Sequence, residues 1–79
     1  MAFYVLILKY QEDQSGVTYL FGPDEDYLGM LWLDKSSGDI KELQETPTQN
    51  SQAFFQRASV KVWQYWKQGE FPEKTCWAS

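Results

Sequence analysis

Few residues in this chain could do chemistry, and they do not gather into a reaction. The 79-residue sequence has no histidine. That removes the commonest general base, the usual metal-binding imidazole and every Ser-His or Cys-His pair. Its one cysteine, Cys76, has Lys74 nearby to lower the thiol pKa. It has no base, orienting group or helix N-terminus beside it, and it reads as a structural thiol. Zinc sites built from Cys and His are impossible within one chain. The glycines are isolated at turns and form no phosphate loop. The carboxylates sit in turns and on a short charged strand, so the paired acids of glycoside chemistry have no rigid cleft to occupy. The expectation is a non-enzyme with no cofactor and no metal.

Two features could still serve a ligand. Asp24-Glu25-Asp26 is a tight acidic run in a loop. Read as a calcium loop it fails, because Leu28 and Met30 stand at further ligand positions and cannot coordinate a hard cation. It remains a contact for a basic partner or a solvated loop. Trp63 and Trp66 could stack on a base or a sugar, but base stacking comes with a positive groove. Arg57, Lys61 and Lys67 are instead spaced around the outer face of a helix. Trp66 is expected in the core and Trp63 at its flank.

Composition narrows the field. Eleven Asp and Glu against seven Lys and Arg give a net charge of −4, which argues against nucleic acid bound through its phosphates and permits a basic protein. The aromatic share is 18%. Those rings exceed what one helix on one sheet face needs, so some, Trp32 and Trp77 among them, are candidates to anchor a partner. The length fits a single domain over residues 1–79 with a thin stability margin. A lone cysteine suits a reducing compartment. No basic n-region precedes the short apolar start and no run reaches a membrane span. The expected location is cytoplasmic, away from the membrane.

The elements that must position these residues follow from periodicity. Ser51 to Gln68 has Phe55, Ala58, Val62 and Trp66 on one helical stripe, widened by Phe54, Tyr65 and Trp63, with Arg57, Lys61, Gln64 and Gln68 opposite. Gly69 suits a left-handed C-cap, and Lys67 sits favourably in the last turn. Asn50 is the preferred N-cap over Thr46 and Ser51, because the apolar period starts only at Phe54.

Strands are expected at about 3–10, 17–21, 28–34 and 39–44, separated by polar turns and by Gly22-Pro23. Phe3, Val5 and Ile7 point one way; Tyr4, Leu6, Leu8 and Tyr10 point the other. Both faces are apolar, so this strand should be central and covered on both sides. Val17, Tyr19 and Phe21 share a face, as do Leu28, Met30 and Trp32. Gly38 is placed for a glycine bulge in the 35–38 hairpin. The fourth strand, mostly charged, reads as an edge. The tail, 69–79, carries Phe71, Cys76 and Trp77, too many apolar groups for disorder. It should dock, either in this chain or on a copy.

The reading is therefore α+β: a four-stranded antiparallel meander packed by one C-terminal helix (ββββα), with a docked tail. The expected function is a small acidic protein-binding module that sequesters a basic protein, as inhibitors and immunity-type proteins do; that comparison rests on size and charge alone. Its candidate contacts are Asp24, Glu25, Asp26, Trp32 and Trp77. The alternative is a homodimeric structural or small-ligand-binding domain.

Overall fold

In the computed structural model, which describes residues 3–78, the periodic stretch forms helix α1 (Ser51–Gln68). Asn50 stands at its N-cap without a side-chain cap bond; its carbonyl accepts the Phe54 N–H at 3.1 Å. Ser51 Oγ instead accepts the Thr46 N–H at 3.0 Å, tying the incoming loop to the first turn. Gly69 ends the helix at φ 77°. Its N–H reaches the Trp66 carbonyl and the Glu70 N–H reaches that of Tyr65. These bonds satisfy carbonyls that the helix would otherwise orphan.

The strands are β1 (Tyr4–Glu12), β2 (Gly16–Gly22), β3 (Gly29–Asp34) and β4 (Ile40–Gln44), with a further strand, β5 (Lys74–Ala78), after the helix. The sheet is antiparallel and five-stranded, in the order β4-β3-β2-β1-β5. The α+β class and the meander of the first four strands match the expectation. The tail differs in detail. It docks within the chain, and it does so by pairing with β1 from Leu8 opposite Lys74 to Tyr4 opposite Ala78.

That pairing corrects the view of β1. The strand is interior, between β2 and β5, as expected, but α1 packs on only one of its faces. Val5 and Ile7 join Val17, Tyr19, Phe21, Leu31 and Leu33 beneath Phe54, Ala58 and Val62 of α1. These side chains share one face because alternate residues of a strand do. Leu6 is outside this cluster, on the other side of the sheet.

Specific contacts fix the rest. Trp66 donates its indole Nε1–H to the Lys35 carbonyl at 2.7 Å, and its ring lies against Gly38, whose φ is 81°. The positive φ and the absent Cβ both let the β3–β4 hairpin close on the helix. The Tyr19 hydroxyl donates to the Pro72 carbonyl at 2.7 Å. Arg57, expected on the outer face, is half-buried. Its guanidinium carbon lies 4.5 Å from the Phe3 ring centroid and 5.2 Å from that of Trp77. The side chain stays in because its planar head covers rings that β5 brings beside the N-terminal segment.

Candidate functional site

One face of the sheet is turned away from α1 and carries no described helix. Its residues are set by strand alternation opposite the core positions. β1 supplies Leu6 and Leu8, β2 supplies Thr18 and Leu20, β3 supplies Met30 and Trp32, and β5 supplies Cys76. Register brings them together. Leu6 faces Cys76 on one side and Gly22 on the other, Leu8 faces Leu20, Leu20 faces Met30, and Thr18 faces Trp32. Leu6 is buried, at 6% exposure, while Leu8, Thr18, Leu20, Met30, Trp32 and Cys76 are half-buried. Tyr4 and Tyr10 on β1 are exposed. Lys74, opposite Leu8, and Lys41, opposite Trp32, stand on the two lateral strands.

Two glycines shape the ends of this face. A Cβ on Gly16 would fall within the Trp32 indole, so the ring lies flat across the sheet there. A Cβ on Gly22 would meet the Tyr27 carbonyl, so the β2–β3 turn folds back over the opposite end. That turn carries Asp24, Glu25 and Asp26, all exposed. The Asp24 carboxylate accepts the Asp26 N–H at 2.8 Å, and the Tyr27 N–H reaches the Asp24 carbonyl at 3.4 Å. None of the three acids makes an ion pair with a described residue.

The expected contact residues thus divide. Asp24, Glu25 and Asp26 lie at one end of the open face and Trp32 at the other. Trp77 does not join them. It lies on the helix side, edge-on to Phe3 at 6.1 Å between ring centroids and beneath Arg57. Sequence reasoning left Leu6, Leu8, Leu20 and Met30 out of the site. The signal for Leu6 and Leu8 is the two-sided apolar pattern of β1; Leu20 and Met30 join them through register with β2 and β3.

Two other places were candidates. Glu12 is held by Lys9 at 2.6 Å and Lys35 at 2.7 Å, with Glu73 3.6 Å from Lys9. The hydrogen bond from Lys35, then that from Lys9, keeps the Glu12 carboxyl below the usual carboxylate range. Glu12 in turn raises the Lys9 ammonium. This cluster joins β1, the β3–β4 hairpin and the tail, and its charges are occupied with one another. The second place is a depression of about 230 Å³ lined by Ile40, Ser59, Val60 and Trp63. The Ser59 hydroxyl oxygen is buried, with no hydrogen-bond partner among the described residues. The depression is smaller than the roughly 300–1,000 Å³ typical of small-molecule sites.

Among the described residues no group of three or more His, Cys, Asp or Glu is placed to share a metal ion. No described helix is long and apolar enough to cross a membrane. No protein-family model matches the chain, and no curated protein sequence or solved structure is significantly similar to it.

Proposed function

We propose that the chain is a non-enzymatic protein-binding module that docks a basic protein on the helix-free face of its sheet. The observation that supports this most is the run of half-buried cross-strand apolar neighbours Leu8–Leu20–Met30 beside Trp32, on the sheet face that α1 does not cover. Contiguous apolar surface rimmed by polar groups is what interfaces use. Trp32, flat on the sheet, is the kind of rigid aromatic that anchors a partner. The acids at 24–26, in no ion pair with a described residue, would speed encounter with a positive patch and fix its orientation. Lys41 and Lys74 at the lateral margins have stems long enough to lie along an apolar partner with their charges in water. In this reading the chain would sequester its target by covering a surface, as inhibitors and immunity-type proteins do.

The test is affinity capture from host lysate with three baits: the native chain, Trp32→Ser, and the triple change Asp24→Asn, Glu25→Gln, Asp26→Asn. A basic protein held by the native chain and lost with Trp32→Ser would support the reading. A protein held equally by all three baits would refute it.

A further inference from the structure

A different surface, the free edge of β5, presents its own pairing chemistry. The Lys9 N–H donates to the Glu73 carbonyl at 2.8 Å. These two residues continue the β1–β5 register, in which Leu8 opposes Lys74. In an antiparallel ladder, residues opposed in this way alternate between hydrogen-bonded and non-bonded pairs. Lys9–Glu73, Ile7–Thr75 and Val5–Trp77 are therefore the bonded pairs. Lys74, Cys76 and Ala78 stand in the non-bonded ones, so their backbone N–H and C=O groups point away from β1 to the open edge.

The two edges of the sheet are not equivalent. β4 carries Lys41 and Glu42 and a register shift that leaves Leu43 without a partner. A bulge and charges protect an edge against further pairing. β5 has neither a bulge nor a proline; its register with β1 is regular over all five pairs. Lys74 is its sole charge.

We infer that β5 pairs antiparallel with β5 of a second copy of this chain about a two-fold axis at Cys76. Only that centre uses every outward group. Cys76 exchanges two backbone bonds with Cys76 of the copy, and Lys74 exchanges two with Ala78 of the copy at each side. The side chains agree with this register. Lys74 meets Ala78, so the two lysines avoid each other. On the helix side Thr75 meets Trp77, an aromatic against a β-branched residue, which is a favourable cross-strand pair. The result is one continuous sheet whose open faces lie side by side, so this dimer does not compete with a partner docked on the face.

The experiment has two arms. Light scattering of the native chain over a concentration series should show the mass rising from one chain to two. Cys76→Pro should stay at one chain, because it removes an outward N–H that β1 does not use, and proline is tolerated at such edge positions. Residue-resolved amide exchange of the native chain gives the second arm and depends on no variant. At concentrations where the dimer forms, the N–H groups of Lys74, Cys76 and Ala78 should be protected, and dilution should release them while those of Thr75 and Trp77 stay slow. A single-chain mass throughout the series would overturn the inference. So would a dimer in which those three amides exchange freely.

Discussion

The phenol of Tyr19, from the central strand, donates to the Pro72 carbonyl across 2.7 Å. Tyr19 is 1% exposed, so this bond is made where water does not compete. It holds the segment between α1 and β5 in place and so sets where β5 meets β1. Removing the hydroxyl leaves a carbonyl short of its donor. Tyr19→Phe should lower stability by about 1–2 kcal/mol, read as a shift in urea midpoint at unchanged slope.

The same phenol sets an alkaline limit. Burial, and then the charges of Glu12, Glu73 and the Tyr65 phenolate, push its ionisation above the ordinary tyrosine range near 10. The neutral form is favoured in the folded state, so this contribution is complete below the unfolded pKa. It is lost as pH rises beyond it. Stability should fall from about pH 10 upward. Tyr19→Phe should flatten that fall even though it is less stable at pH 7, as denaturation at stepped pH would show.

Glu12 sets the acid limit in the opposite sense. Its carboxyl is held low by Lys35 and Lys9, so its contribution is present above the ordinary glutamate range and lost as pH falls below it. Glu12→Gln should reduce the loss of thermal midpoint between neutral pH and about pH 3, and added salt should reduce it in the native chain.

Trp66 and Gly38 form one joint. Trp66→Ala removes both the ring and the indole bond to Lys35 and should cost about 3–5 kcal/mol. A loss under about 1 kcal/mol would show the joint to be dispensable. Gly38→Ala places a Cβ 2.7 Å from the Trp66 ring at a positive φ. It should be destabilising by at least about 1 kcal/mol.

Arg57 gives a test of packing against charge. Its head lies over two rings, so Arg57→Ala should destabilise by about 1–2 kcal/mol. Arg57→Lys should recover little, because an ammonium cannot stack as a planar guanidinium does.

Much of this architecture was legible in the sequence because it is local. The helix bounds followed from the apolar period and Gly69, and the first four strands from alternation between turns. Gly38 followed from hairpin chemistry. β5 was less legible. Pro72, Glu73 and Lys74 mask a strand only five residues long, and its pairing with β1 is set by contacts far apart in the chain. Trp77 packs against the core with the docked tail, and the face it takes was not legible, because only the pairing opposite Val5 decides it. Arg57 followed Trp77, since the rings it covers meet only in the folded chain. Asp24, Glu25 and Asp26 were placed in a loop correctly, and the turn that carries them proved to fold toward the open face.

The pairing of β1 with β5 also orders events during synthesis. Most of the chain separates Val5 from its neighbour Trp77, and such distant contacts slow folding because the loop between them must close first. During translation the run Val5-Leu6-Ile7-Leu8 is made well before its outer partner. Until then β1 is an apolar strand with one unpaired edge, the kind of segment on which nascent chains self-associate. Arrival of residues 74–78 at that edge is thus a protective step, and its timing should govern how much of the newly made protein escapes aggregation.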